Sequence, residues 1–159
     1  VKDFIEAPSS WNLTSVQQLI IGRDVALGVA AVHGIDGDGG NVTIVHRDVK
    51  AHNFMILEGS LKIQDFNDGE LVFWNTTSQT QCYFTRFRHS PWYRSNEEVL
   101  ELPLTHKVDI YSLGCVLFKI LTKHRPYVRM ERDGASRLVS QGQLPPLPDE
   151  IENSNDTAI

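Results

Sequence analysis

Within eight residues, His46-Arg47-Asp48-Val49-Lys50-Ala51-His52-Asn53, the chain sets a carboxylate, an ammonium and a carboxamide close together. A second carboxylate follows at Asp65-Phe66-Asn67. Residues of these types suit chemistry that runs on positioning and charge neutralisation, where rigid carboxylates and a cation converge. A zinc site is the other reading of the same window, since His46, His52 and Asp48 carry ligand atoms that zinc accepts. No fourth ligand is spaced to match, and Arg47 and Lys50 would repel the metal. The spacing and the neighbouring cations therefore argue against a zinc centre.

These residues need elements to hold them. Thr14 and Gln17 form a capping-box pattern. Val16, Leu19, Ile20, Val25, Ala26, Val29, Ala30 and Val32 then recur at helical spacing, which predicts a long amphipathic helix up to Gly34. Residues 35–41 have the composition of a flexible loop. A short β-rich run at 42–45 leads into the His-Arg-Asp segment. Two short strands, 54–57 and 61–63, flank a Glu58-Gly59-Ser60 turn. That hairpin would fold Asn53 and Asp65 to one point. Residues 67–94 show no clear period and read as a long functional loop. The segment 108–122 is apolar nearly all round, so a buried core helix is expected. Residues 129–141 read as a surface helix, and Pro145-Pro146-Leu147-Pro148 as an extended linker. There is no internal repeat.

Composition narrows the function classes. The 159 residues are 41% hydrophobic and 22% charged, enough for one domain with a core. A net charge of −5 argues against an electrostatic nucleic-acid binder. Cys82 and Cys115 are isolated and make no disulfide framework, so a reducing compartment is the simpler inference. No apolar run approaching a membrane span is expected, and no signal-peptide pattern opens the chain. Four Asn-x-Thr patterns occur, at Asn12, Asn41, Asn75 and Asn155, and are read as unmodified.

The two motifs, in this order and a short hairpin apart, resemble the catalytic loop and metal-binding motif of the eukaryotic protein kinases. The resemblance covers about residues 5–150. It implies an α+β fold: a mainly helical, protein-kinase-like C-terminal lobe whose short β-hairpin carries the catalytic and metal-binding loops. It implies that Asp48 holds or deprotonates the substrate hydroxyl. Lys50 would stabilise the charge on the transferred phosphoryl group. Asn53 and Asp65 would bind Mg²⁺, which bridges the ATP phosphates. Met55 matches the position that floors the adenine. The cofactors implied are ATP and Mg²⁺, and the partner is a protein substrate. Lys50 is the serine/threonine-kinase choice. Asp-Phe-Asn and the Arg-Ser-x-Glu-Glu end look most like the tyrosine-kinase-like group.

Other positions follow from the same resemblance. Arg47 precedes the catalytic Asp, as in kinases whose activation loop is ordered by a phosphate pairing with that Arg. Thr76, Thr77, Ser78, Thr80 and Thr85 are then candidate phosphosites. Phe66 is the central residue of the metal motif. Aligned without gaps, Ser90 falls on the hydroxyl that bonds the catalytic Asp and Lys, and Glu97 on the structural Glu. Asp109 would hold the His-Arg-Asp backbone. By itself, Asp109 near a helix start could be a plain cap or dipole partner. Arg86, Arg88 and Arg94 could be a solvated face or could bind a loop phosphate. Trp11, Trp74 and Trp92 read as packing residues.

Departures from the pattern carry expectations too. Asn67 stands where the family has Gly, whose use is a positive φ. Asn tolerates that next best, so slower switching is expected rather than lost metal binding. Ala51 and Asn96 replace common prolines. No Gly-rich phosphate loop and no Val-Ala-Ile-Lys-like strand precede the catalytic loop. Residues 1–159 thus look like a partial kinase domain, truncated at both ends. The parent would be an active kinase in the cytoplasm or on the cytosolic side of a membrane. The alternative is a catalytically incompetent lobe that serves as an interaction module.

Overall fold

A computed structural model describes residues 13–34, 41–85 and 91–152. Its helices and small antiparallel sheets make an α+β fold, as the resemblance implies. Arg86, Arg88 and Ser90 lie outside the described residues, as do Trp11, Asn12 and Asn155.

Helix α1 spans Ser15–His33. The Thr14 hydroxyl accepts the Gln17 N–H, and the Gln17 side-chain oxygen accepts the Thr14 N–H at 2.9 Å. Ile21, Val25, Val29 and Val32 are its buried stripe. At 19 residues and a mean hydropathy of 1.2, α1 is long and apolar enough to cross a membrane. This corrects the expectation that no run approaches that length. Here α1 is a core helix: Arg23 and Asp24 interrupt it, and its stripe packs on the neighbouring hairpin and on α3. Gln18 further donates to the Ile120 carbonyl at 2.9 Å.

Strand β1, Ile44–Val45, leads into the Asp48 loop. Strands β2, Phe54–Leu57, and β3, Ser60–Ile63, pair antiparallel with Phe54 opposite Ile63 and Leu57 opposite Ser60. Glu58 and Gly59 both have positive φ, 51° and 76°, the geometry that a two-residue hairpin turn requires. The main core joins α1, this hairpin and α3, and Val49 belongs to it with no exposed surface. One core residue thus sits between Asp48 and Lys50. It anchors the loop in the core between the two charged residues.

Residues 67–94 hold more order than their composition suggests. Strand β4, Glu70–Leu71, pairs with β1, and β5, Trp74–Asn75, pairs with β6, Thr80–Gln81. The Asn75 side chain accepts N–H bonds from Thr77 and Ser78 and shapes the turn between β5 and β6. Trp74 donates its indole N–H to the Val42 carbonyl at 2.7 Å. Phe84 then bridges to Leu104. Two-residue strands are too short to show a period.

A short helix α2, Asn96–Val99, starts on a capping box made by Ser95 and Glu98. Helix α3, Lys107–Thr122, buries Val108, Asp109, Ser112, Cys115, Val116 and Ile120. Ile110 and Leu121 remain about half exposed, at 49% and 55%, so burial is one-sided rather than all-round. Helix α4, Arg132–Ser140, packs Ala135 and Val139 on Tyr127 and Trp92. After the proline-rich stretch comes α5, Asp149–Glu152. Cys82 is exposed and Cys115 buried, and both are free thiols.

Candidate active site

Asp48 is 4% exposed and lies at the centre of a hydrogen-bonded group. Lys50 Nζ is 2.6 Å from its Oδ2. Asn53 Nδ2 donates to the same Oδ2 at 3.0 Å and to the Asp48 carbonyl at 2.8 Å. Arg94 Nη2 donates to Oδ1 at 2.6 Å. Burial alone would raise the Asp48 carboxyl. The hydrogen bonds and charges of Lys50 and Arg94 outweigh it and bring the pKa down to about 2. Asp48 is therefore a carboxylate at neutral pH, with each oxygen already oriented.

The loop backbone is held from beneath. Asp109, fully buried, accepts the His46 N–H at 2.7 Å and the Arg47 N–H at 2.8 Å. His33, the last residue of α1, donates Nε2–H to the same carboxylate at 2.9 Å. The Asp48 N–H donates to His46 Nδ1, so His46 carries its proton on Nε2 and gives it to the Gln64 carbonyl at 3.0 Å. His46 thereby links the Asp48 loop to the residue just before Asp65. The His46 and Phe66 rings also touch, with centroids 4.7 Å apart.

Hairpin pairing carries Asp65 toward Asn53. Gln64 donates its N–H to the Asn53 carbonyl at 2.8 Å, one step before Asp65. The Asp65 side chain is exposed and makes no hydrogen bond or ion pair with any described residue. Its backbone is left-handed, φ 66°, and the turn Phe66–Asp68 follows at once. Asn67 does not have positive φ. The expectation of a left-handed residue at 67 is corrected: the reversal is made at 65, where a short polar side chain tolerates it.

Oxygen donors at this corner fit Mg²⁺. Asn53 spends its amide N–H₂ on Asp48, which leaves the amide oxygen without a hydrogen bond to any described residue. Together with the uncommitted Asp65 carboxylate it gives one neutral and one charged oxygen. Mg²⁺ is commonly held by one or two carboxylates, with ligand phosphates and water completing the shell. Among the described residues no group of three or more His, Cys, Asp or Glu could hold a metal alone.

Other expected residues take different places. Arg47 has φ 63° and is 3% exposed, with Nη1 donating to the Asp68 carbonyl and lying 3.7 Å from Glu70. Its guanidinium also stacks over the Phe84 ring. Met55 is half-buried on β2, opposite Lys62 and on the face away from the buried Phe54. Glu97 is exposed, while its neighbour Glu98 is 2% exposed. The structure thus buries Glu98 beside the aligned Glu97. The Ser95 box turns Glu98 inward to meet the Ser95 N–H, and the preceding helical position leaves Glu97 facing water.

Arg94 was missed in its role. It is not a solvated face but a buried partner of Asp48. No sequence pattern places an arginine on a carboxylate 46 residues away. Glu98 was legible, because Ser95-x-x-Glu98 is a capping box. His33 carried no signal beyond closing a helix.

A protein kinase domain model matches residues 7–156. The chain is 30% identical over 139 residues to human mitogen-activated protein kinase kinase kinase 19, covering 84% of this chain and 10% of that protein. It is 30% identical over 134 residues to mitogen-activated protein kinase kinase kinase 3 of Arabidopsis thaliana, covering 82% and 20%. It is 28% identical over 125 residues to mouse serine/threonine-protein kinase Nek3, covering 78% and 22%. The chain thus spans between about a tenth and just over a fifth of the length of these relatives. With a family model covering nearly all of its length, the chain belongs to the eukaryotic protein kinase family.

Proposed function

We propose that the protein carrying this chain transfers the γ-phosphate of ATP to serine or threonine hydroxyls of protein substrates. One observation carries this reading: Asp48, Lys50 and Asn53 form one hydrogen-bonded group, and the hairpin brings Asp65 beside it. Asp48, kept ionised by its cationic neighbours, is the group that receives the substrate hydroxyl. Lys50, with about a third of its side chain exposed, is the mobile charge of the set. It can leave Asp48 Oδ2 to meet a phosphoryl oxygen, freeing that oxygen for the hydroxyl. Asn53 and Asp65 would hold Mg²⁺, which supplies neutralisation of phosphate charge when bound. Asp109 and His33 keep the loop rigid, so little reorganisation is needed at the moment of transfer.

The finer assignments belong to the same proposal. The described elements form the larger, C-terminal lobe of the kinase, with Met55 beneath the adenine. Lys50 and the names of the relatives support serine/threonine acceptors. Placement in the tyrosine-kinase-like group rests on the Asp-Phe-Asn triplet and the Arg-Ser-x-Glu-Glu segment alone. Two free cysteines favour a cytoplasmic setting, or the cytosolic side of a membrane.

The test is phosphate transfer from labelled ATP to a generic protein substrate by the full natural protein. Asp48→Asn and Asp65→Asn are expected to lower the rate by about 10²–10⁴-fold while the fold persists. A wild-type protein that transfers no phosphate would favour the interaction-module alternative. Either variant at near-full activity would overturn the site assignment.

A further inference from the structure

Asp48 has a partner that the proposed chemistry does not use. The Arg94 guanidinium reaches Asp48 Oδ1 through Nη2 and the Arg47 carbonyl through Nη1. Both side chains of the pair are nearly sealed, at 6% and 5% exposure. A planar fork that holds one side-chain oxygen and the preceding backbone oxygen fixes the carboxylate against its own main chain. Lysine has no such geometry. Arg94 is itself held. Glu98, one helical turn on, lies 3.8 Å behind its Nη1, and the adjoining Tyr93 carbonyl is anchored by the Ser112 hydroxyl of α3.

The division of Asp48 is the telling feature. Arg94 takes Oδ1 alone, while Lys50 and Asn53 both take Oδ2. One oxygen faces the buried side, and the other faces the residues of the proposed transfer. We propose that Arg94 is a positioning residue for phosphoryl transfer, a clamp that locks the Asp48 carboxylate so that Oδ2 alone is presented to the acceptor hydroxyl. This rests on the kinase reading of Asp48. It also ties the segment that starts α2 directly to the reacting group, so any displacement of 91–99 withdraws the clamp.

A buried arginine could equally be structural, so the test separates the two. The full natural protein is compared with Arg94→Lys and Arg94→Met, with Asp48→Asn as the inactive reference. Arg94→Met is expected to lower kcat by about 100-fold, the cost of a misplaced reacting group, with KM for ATP little changed. Arg94→Lys, which keeps the charge but not the fork, should recover about tenfold of that loss. A structural role alone would lower the melting temperature without this split between kcat and KM. If Arg94→Met fails to fold, Arg94→Lys decides: a folded Lys variant with reduced kcat and unchanged KM supports the clamp. A folded Lys variant at the wild-type rate, or a faster one, overturns it and makes Arg94 a brace or a plug. Wild-type protein no better than Asp48→Asn overturns the kinase reading itself, and the clamp then has no reaction to serve.

Discussion

Asp109 takes the backbone N–H of His46 at 2.7 Å across 63 residues of chain, and its other oxygen takes the N–H of the next residue, Arg47. A fully buried carboxylate that accepts both of these bonds and a third from His33 is a cross-brace between α3, α1 and the Asp48 loop. Asp109→Asn keeps the shape but turns an N–H₂ against a backbone donor. A loss of about 2–4 kcal/mol of stability is expected, from charge-assisted bonds removed and a donor left unpaired. Urea unfolding of the wild-type and Asn proteins measures it. A difference below about 0.5 kcal/mol, the usual span for surface changes, would mean that the brace is not needed.

Asn67 offers a second test. Glycine at this position would be valuable only if the backbone had to be left-handed there, and it is not. Asn67 lies inside the turn Phe66–Asp68, while Asp65 takes the positive φ. Asn67→Gly should therefore bring no relief of strain and should cost about 0.5–1 kcal/mol in backbone entropy. Mg²⁺ dependence of phosphate transfer should be unchanged. A gain in stability, or a marked change in Mg²⁺ dependence, would restore a conformational role for residue 67.

How much of this was legible in sequence depends on the length of the signal. Helix α1 announced itself through its capping box and eight spaced apolar residues, and the hairpin through two short runs about a Glu-Gly turn. Strands β4 to β6 did not, because two residues carry no alternation. Within the site, residues near one another in sequence were readable as a motif. Arg94 and His33 were not, because they join it through tertiary contacts 46 and 76 residues long. Glu98 is the instructive case. The capping-box rule Ser95-x-x-Glu98 would have found its burial from sequence alone, independently of the aligned Glu97.

Exposed apolar side chains give a third prediction. Leu19, Leu27, Phe73, Tyr83 and Leu144 are each more than half exposed, and Val16 and Ile20 extend the patch on α1. Surfaces of this kind associate when left in water. The 159-residue chain expressed alone should bind a hydrophobic dye and associate with rising concentration in sedimentation. A monomer without dye binding would show that these side chains are too dispersed to act as a patch.

Glu98 supplies the pH dependence. Burial pushes its carboxyl up to about 7, against the opposing charge of Arg94 and the Ser95 N–H. One of its oxygens, Oε1, has no hydrogen-bond partner among the described residues. The folded pKa is raised above the ordinary value of 4.5, so the folded state holds a proton that the unfolded chain releases between pH 4.5 and about 7. The associated stability is present below pH 4.5 and is lost as pH rises through about 7. Gln cannot ionise, yet it retains the capping bond to Ser95. Glu98→Gln should therefore match the wild type near pH 5 and exceed it at pH 8, by up to about 3 kcal/mol. Urea unfolding at both pH values reads the difference directly. An Asn or Gln neutralisation that destabilised the protein more at pH 8 than at pH 5 would mean that the ionised carboxylate is a net partner of Arg94. The clamp on Asp48 would then depend on Glu98 being charged.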